Sequence, residues 1–260
     1  MNTPVLMYHE VTERDITQIP IEERPYAITP ATFDEQLAYL NQQGIASRFV
    51  DAEQPDEGHS VVITFDDGYA SDAYTALPRL LDLGLKAEFY ITTGWIGKPG
   101  YVSESDILAL AEAGMVIGTH GVNHRFFDDL SEEDLRLELR DSKSALESIM
   151  GQEVDCGSAP GGRIHPMTQQ IASEIGYRYL CVSDARLANL APTNQFRFIP
   201  RFAVKREMSS GQYAKLASGD KRAVALSNAK TTTLAFAKYV LGNRNYERIR
   251  HRLLSFRNID

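Results

Sequence analysis

The sequence predicts an α/β fold in which about seven parallel strands form a (β/α) barrel or an incomplete one. Short apolar runs of strand length alternate with helical patterns along the chain, which is typical of βαβ units around a parallel sheet. Each predicted helix is followed by a glycine, which can end a helix. A doubly wound open sheet is the alternative. In both folds, ligands gather at the carboxyl ends of the strands.

The predicted elements are short and clearly separated. The strands are Val5–Tyr8, Ser60–Phe65, Ala87–Thr92, Met115–Thr119, Val154–Ser158, Tyr179–Val182 and Phe198–Arg201. The helices are Pro30–Gln43, Ala73–Leu83, Ser105–Ala113, Ser131–Met150 and Pro166–Ile175. Thr29 precedes a first-turn proline and Ser131 has an acidic residue three positions later, so both are predicted N-caps.

The length and charge of the chain predict one large domain with a basic extension. Barrels of about 250 residues are common, and the chain has 260 residues. Residues 221–260 hold nine Lys or Arg against two acidic residues, whereas the other 220 residues hold 18 basic and 33 acidic groups. We therefore expect residues 1–220 to form the barrel and residues 221–260 a basic helical extension. The acidic body argues against nucleic acid as the main partner.

The cysteines and the first residues predict an intracellular protein. The spacing of Cys156 and Cys181 fits no zinc or redox motif, so both are predicted to be reduced thiols in the core. The segment after Met1 has no basic region followed by a long apolar stretch, as a signal peptide would. No apolar stretch reaches the roughly 18 residues of a membrane span. The expected location is the cytoplasm.

The basic extension suggests contact with the inner face of the membrane. Within Tyr246–Arg257, apolar residues recur at near-helical spacing with arginines between them. Such a segment can lie on an anionic membrane. The alternative is a helix that packs on the barrel and leaves its basic face in solvent.

Two adjacent carboxylates close the predicted strand Ser60–Phe65. Asp66 and Asp67 are followed by Gly68 and Tyr69. Two charged neighbours at a strand end are costly unless they are paired. A capping or turn role is one interpretation. The other is a metal site, in which one carboxylate binds the cation and the other remains a free base.

Two histidines close the predicted strand Met115–Thr119. His120 and His124 are spaced i, i+4, which would place both imidazoles on one side of a helical turn. Such a pair can also lie on the surface or in the core. Because the pair and Asp67 both follow strands, we predict a catalytic metal site with three protein ligands and open positions for water.

Further polar residues follow other strands. The glycines of Pro160–Gly162 let the backbone approach a ligand, and an amide there could stabilise an oxyanion, although such a run is also an ordinary turn. His9 is a candidate general acid or a satisfied histidine at the barrel mouth. Asp184 follows the predicted strand Tyr179–Val182, and Arg201 is the last residue of Phe198–Arg201.

The motifs Thr64–Tyr69 (TFDDGY) and His120–His124 (HGVNH) together resemble those of the polysaccharide deacetylases, carbohydrate esterase family four, with the NodB-homology fold. The resemblance covers about residues 1–205. It implies a distorted (β/α) barrel, with Asp66 as the general base. The metal ligands that it implies are Asp67, His120 and His124.

The third motif of the family usually begins with an arginine that pairs with the base, and here Ser158 stands at the matching position. We expect Arg163 or Arg201 to supply that charge, steadied by Asp184. The matching oxyanion donor is the backbone amide of Gly161.

The acid histidine of the family commonly lies near the C-terminal end of the domain. Here Leu6–His9 (LMYH) resembles the rearranged order of the biofilm poly-N-acetylglucosamine deacetylases, in which the histidine precedes the Asp-Asp motif. The resemblance therefore implies that His9 is the acid.

These expectations define a metal-dependent hydrolase that removes the N-acetyl group from an amino sugar in a polysaccharide or glycan precursor of a bacterial cell. The donor set suits Zn²⁺ and accepts Co²⁺ or Ni²⁺. Tyr69, Pro160 and Arg163 are predicted to contact the substrate, an acetylated amino-sugar glycan or a lipid-linked sugar. The alternatives are an O-acetyl esterase, a deformylase acting on a lipid-linked sugar, and an inactive glycan-binding module, which the missing arginine at Ser158 favours.

Overall fold

A computed structural model describes residues 2–52 and 58–241. The β-strands in these residues are β1 (Asn2–Thr3), β2 (Val5–Tyr8), β3 (Ala46–Ser47), β4 (Ser60–Phe65), β5 (Glu88–Ile91), β6 (Val116–Thr119), β7 (Cys156–Ser158), β8 (Tyr179–Val182), β9 (Ala188–Asn189), β10 (Arg197–Pro200) and β11 (Phe202–Ala203). The α-helices are α1 (Pro30–Gln42), α2 (Leu77–Asp82), α3 (Glu104–Glu112), α4 (Glu132–Met150), α5 (Thr168–Ile175), α6 (Ser210–Ala217) and α7 (Lys221–Leu241).

The main sheet is parallel and nearly closes into a barrel. Its strand order is β10-β8-β7-β6-β5-β4-β2-β11, with β3 paired to β4 off this path. The two edge strands β10 and β11 are separated in sequence only by Arg201, and they pair with β8 and β2 respectively. The segment Arg197–Ala203 therefore connects the two edges. The predicted distorted barrel of about seven strands is confirmed, and the open-sheet alternative is wrong.

Alternation along the strands divides the core into two layers. One cluster contains strand residues such as Val5, Val62 and Tyr90 together with both cysteines, whose thiols are free and buried as predicted. The alternate strand residues, such as Leu6 and Ile63, join the larger cluster that contains the helix residues. We interpret the first cluster as the barrel interior and the second as the layer between sheet and helices.

Both predicted N-caps and two of the predicted glycine stops are confirmed. The side chains of Thr29 and Ser131 accept hydrogen bonds from the backbone amides three residues later. Gly151 and Gly176 end α4 and α5 with φ of 66° and 95°, in the left-handed region. Glycine adopts this conformation without the steric cost that a Cβ brings.

Two helical regions differ from the prediction. Residues Asp72–Ala76 form a π-helical turn, and α2 begins only at Leu77. Pro78 has no amide proton to donate to the carbonyl four residues earlier, so regular α-helical bonding is interrupted there. Helix α6, which begins with a capping box formed by Ser209 and Gln212, was not predicted.

The C-terminal extension is described only in part. Helix α7 begins at Lys221, and Ala223 and Val224 pack against the larger core cluster. The apolar and basic segment Tyr246–Arg257 lies outside the described residues, and the division at residue 220 stays a prediction. In the parts of the chain that are described, no helix is long and apolar enough to cross a membrane.

Candidate metal and catalytic site

The two aspartates lie at the carboxyl end of β4, as predicted. Asp66 and Asp67 are 2% and 7% exposed. Asp67 has a φ of 78°, which is unfavourable for a residue with a Cβ. Because such strain persists only where the surroundings enforce it, this conformation marks Asp67 as a candidate functional residue.

The two histidines meet through a loop and not through a helical turn, so that part of the prediction is wrong. His120 directly follows β6, and the residues up to His124 have no helical structure. Gly121 and His124 have φ of 74° and 53°. These two left-handed residues reverse the chain and bring the second imidazole back to the first, with ring centroids 5.0 Å apart.

Three predicted ligands converge on one point. One ligand atom from each of Asp67, His120 and His124 lies within 4.8 Å of the others. The Oδ1 atom of Asp67 is 3.4 Å from Nε2 of His120 and 3.2 Å from Nε2 of His124. That oxygen is buried and makes no hydrogen bond within the described residues.

The environment of His120 suits a metal ligand. Its Nδ1 lies 2.9 Å from the backbone carbonyl oxygen of Ser158, to which a protonated Nδ1 donates. This bond favours the tautomer that leaves a lone pair on Nε2, the atom that faces Asp67. A buried carboxylate oxygen without a hydrogen bond and two imidazole nitrogens form a donor set that fits a divalent cation. The three residues could therefore hold a metal ion.

Asp66 is held by Arg201, from the segment that closes the barrel. Nη1 and Nη2 of Arg201 each donate to one carboxylate oxygen of Asp66 at 2.7 Å. Nη2 also donates to the Ser158 hydroxyl at 2.6 Å, and that hydroxyl donates to Asp66 at 3.2 Å. Burial by itself raises the pKa of Asp66, but the Arg201 guanidinium brings the pKa below its ordinary value. Asp66 is therefore held ionised.

Arg163, the other arginine predicted to pair with Asp66, has different partners. Arg163 pairs with Asp128 and Asp129, and its guanidinium lies 4.2 Å from the ring centroid of Phe126. The expected support from Asp184 is also wrong, because Asp184 is exposed and pairs with Arg186. The guanidinium that is missing at Ser158 comes instead from Arg201, forty-three residues later in the chain.

His9 lies on the same rim of the barrel. It follows β2, which is the neighbour of β4 in the sheet, and its ring lies against the Tyr26 ring at an interplanar angle of 33°, with centroids 4.6 Å apart. Its Nδ1 is buried and has no hydrogen-bond partner in the described residues. Burial lowers the pKa of His9, while Asp67 and Asp66 act in the opposite direction. His9 is thus within electrostatic range of both carboxylates.

The turn after β7 and Tyr69 complete the predicted set. Gly161 lies in the turn Pro160–Gly162 with a φ of 63°, and a Cβ on it would come 2.8 Å from the Phe126 ring. Pro160 is buried. Tyr69 is 5% exposed and stacks on Tyr101 with centroids 5.3 Å apart. Substrate contacts of Tyr69, Pro160 and Arg163 stay predictions.

Sequence reasoning missed two contributors to the site. Ser158 was noted only as a departure from a motif, yet its hydroxyl contacts Asp66 and Arg201 while its carbonyl contacts His120. Trp95 stacks on His124 with ring centroids 5.2 Å apart. Trp95 is the single tryptophan of the chain, and this is the one feature of the sequence that could have drawn attention to it as a site residue.

The chain is similar in sequence to known deacetylases. A sequence model of the polysaccharide deacetylase family matches residues 53–180. Over this segment, which is about half of the chain, the sequence matches that family. The matched range contains both motifs and the strand end at Ser158, but it leaves out His9 and Arg201.

Two relatives of known sequence align with part of this chain and with part of their own length. YxkH of Bacillus subtilis is 26% identical over 182 residues, which are 67% of this chain and 62% of that protein. The peptidoglycan-N-acetylglucosamine deacetylase of Bacillus cereus is 29% identical over 130 residues, which are 50% of this chain and 59% of that protein. The chain thus spans about three fifths of the length of these relatives.

A solved structure supports the fold. The Streptococcus pyogenes deacetylase PplD, determined in complex with acetate, superposes with a TM-score of 0.72 and 24% identity. The superposition covers 80% of this chain and 95% of that one. The barrel described above is therefore the fold of known deacetylases.

Proposed function

We propose that this relative of the polysaccharide deacetylases is a divalent-metal-dependent hydrolase that removes the N-acetyl group from an amino sugar in a glycan. One observation carries the proposal: Asp67, His120 and His124 converge on one point, and Asp66 lies beside them with its carboxylate bound to Arg201. The amino-sugar substrate of the Bacillus cereus relative, named as a peptidoglycan-N-acetylglucosamine deacetylase, supports the substrate class.

The distribution of backbone strain supports the same assignment. In residues 2–52 and 58–241, the non-glycine residues with positive φ are Asp67 and His124, and both belong to the three-residue cluster. Such conformations cost about 1–3 kcal/mol each and concentrate at functional sites. The fold maintains this strain at two of the three proposed ligands.

Asp66 is the proposed general base. Each of its oxygens accepts one hydrogen bond from Arg201, and Oδ2 accepts a second one from Ser158. Oδ1 keeps a second lone pair that can accept a proton from water. The Arg201 bonds keep the carboxylate ionised before the reaction and fix its orientation. Asp66 therefore takes the proton of the water that attacks the acyl carbon.

His9 and Gly161 are proposed to complete the reaction. His9 in its protonated form donates a proton to the departing amine, and it follows β2, the strand next to the one that carries the two aspartates. Burial lowers the pKa of His9, and the charges of Asp67 and Asp66 oppose that shift and favour the protonated form. The amide of Gly161 donates to the oxyanion that forms on the acyl oxygen. The products are acetate and a free amino sugar.

A divalent cation held by Asp67, His120 and His124 would supply Lewis acidity to polarise the acyl carbonyl and to lower the pKa of water. Zn²⁺ is the proposed ion, and Co²⁺ or Ni²⁺ are suitable replacements for a donor set of two imidazoles and a carboxylate. The cytoplasmic location and the membrane contact of residues 221–260 stay predictions from the sequence.

The test is acetate release from N-acetylated and O-acetylated oligosaccharides. We expect the purified full chain to release acetate from the N-acetylated substrate, to lose activity after exhaustive chelation, and to regain it with Zn²⁺. His120→Ala should lose both metal binding and turnover. Full activity after chelation would contradict the metal dependence, and release from the O-acetylated substrate alone would identify an esterase.

A further inference from the structure

A buried carboxylate from α4 holds the loop that carries the two histidines. Oε2 of Glu138 accepts hydrogen bonds from the backbone amides of Val122 at 2.6 Å and Asn123 at 3.0 Å. Its Oε1 accepts from Nδ2 of Asn123 at 2.9 Å. Glu138 is 4% exposed. A single side chain thus binds three donors between His120 and His124.

The opposite side of this loop is also fixed. The amides of Thr93 and Gly94 donate to the carbonyls of Gly121 and Val122, at 3.1 Å and 2.8 Å. A Cβ on Gly94 would lie 2.4 Å from the Val122 carbonyl oxygen, so the two segments approach as closely as glycine allows. The loop is therefore held between the turn after β5 and Glu138.

The contacts of Glu138 are directed at this loop. In the described parts of the chain, no ion pair includes Glu138. A buried carboxylate without a cationic partner is costly unless hydrogen bonds compensate for lost hydration. The three donors of the loop provide these bonds. The loop and the carboxylate therefore stabilise each other.

We infer that Glu138 is a positioning residue that holds His120 and His124 in the geometry needed to bind a metal ion. The loop lacks regular secondary structure, and His124 has a left-handed φ of 53°. Without the hydrogen bonds from Val122 and Asn123 to Glu138, the loop keeps only its contacts with Thr93, Gly94 and Trp95, and His124 is held less firmly in that conformation. The inference rests on the proposed function, because it takes the two histidines to be ligands.

The experiment measures Zn²⁺ affinity of the full chain by competition with a chromophoric chelator, at a temperature where every variant is folded by circular dichroism. We expect Glu138→Ala to weaken Zn²⁺ binding about 10–100-fold, the range typical for partners that orient metal ligands. Glu138→Gln keeps an oxygen acceptor for the two backbone amides but loses the charge. We expect it to recover part of the loss, with binding about 2–10-fold weaker than in the parent.

Lys143→Met is the matched control. Lys143 is another buried polar residue of α4, and it contacts Val154 and Glu147, not the histidine loop. We expect it to lower stability while Zn²⁺ affinity stays within about threefold of the parent, since no contact with the loop is lost.

Several results would overturn the assignment of Glu138 as a positioning residue. Zn²⁺ binding by Glu138→Ala within about threefold of the parent would overturn the inference, as would an equal loss in Lys143→Met. If Glu138→Ala does not fold, unchanged affinity in Glu138→Gln would overturn it. A parent chain that binds no Zn²⁺ would instead contradict the proposed function, and the inference with it.

Discussion

Asp66 and Asp67 are neighbours in sequence at the end of one strand, but the structure gives them different surroundings. Asp66 directly follows β4, and Arg201 binds both of its carboxylate oxygens. Asp67 has a φ of 78° and a buried Oδ1 atom that makes no hydrogen bond with any residue that the structure describes. That atom faces His120 and His124, which come from the loop after β6.

The difference shows how a barrel gives two identical side chains separate chemistry. Asp66 takes its partners from the closing segment at Arg201 and from Ser158 on β7. Asp67 turns away through its left-handed backbone and meets the imidazoles. A carboxylate that is already paired with a guanidinium is a poor metal ligand but a well-oriented base. A carboxylate whose buried oxygen faces two imidazole nitrogens is suited to a cation.

The largest expected effect separates the two aspartates. Asp67→Asn should weaken Zn²⁺ binding by more than about 100-fold and abolish acetate release, because a ligand charge is lost. Asp66→Asn should keep Zn²⁺ affinity within about threefold while turnover falls about 10²–10⁴-fold, the usual contribution of a general base. Metal titration and acetate release on the same preparations measure both quantities.

The control for this pair is the folded state of each variant, monitored by circular dichroism. An Asp66→Asn protein with near-parent turnover would remove the assignment of Asp66 as the base. Retained tight Zn²⁺ binding in Asp67→Asn would remove Asp67 from the ligand set, and the contrast between the neighbours would no longer hold.

Most of this arrangement follows from local patterns in the sequence. The strands Val5–Tyr8, Ser60–Phe65 and Tyr179–Val182 have the predicted bounds, because apolar runs between polar residues define short buried strands. Since parallel strands bring their carboxyl ends to one rim, the convergence of Asp67 with the two histidines could be predicted without coordinates.

Contacts between residues distant in sequence could not be predicted in the same way. Arg163 and Arg201 were equally plausible partners for Asp66, and only the closure of the barrel at Arg201 decides between them. The i, i+4 spacing of the histidines suggested a helical turn. The left-handed backbone at Gly121 depends instead on the contacts of the loop with Thr93, Gly94 and Glu138, none of which leaves a signal near the motif.

A smaller effect is expected from the partner of Asp66. Arg201→Met removes one member of a buried ion pair, in which Arg201 is 1% exposed. Breaking such a pair costs about 3–5 kcal/mol of unfolding free energy. Because the cost arises mainly from the charge left on Asp66, we expect Arg201→Met combined with Asp66→Asn to be less destabilised than Arg201→Met alone. Denaturant unfolding of the parent, both single variants and the double variant measures this coupling. Additive losses would contradict the pairing.

The smallest expected effect comes from Ser158→Ala. This change removes the hydroxyl that bridges Arg201 and Asp66, but it keeps the backbone carbonyl that contacts His120. The hydroxyl makes two hydrogen bonds, each of which contributes about 1 kcal/mol, and Arg201 still binds both oxygens of Asp66. We therefore expect a loss of about 1–2 kcal/mol in unfolding free energy, a fall in turnover of less than about tenfold, and unchanged Zn²⁺ affinity.

The same variant also tests whether Ser158 acts on Asp66 through its hydroxyl and on His120 through its backbone carbonyl. If Zn²⁺ affinity falls together with turnover in Ser158→Ala, the hydroxyl affects both Asp66 and the metal ligands. The roles of Asp66 and Asp67 are then less distinct than the geometry indicates. If turnover falls as far as in Asp66→Asn, the hydroxyl and not Arg201 controls the base. A small effect on turnover alone is the result that fits a carboxylate already oriented by the two bonds from Arg201.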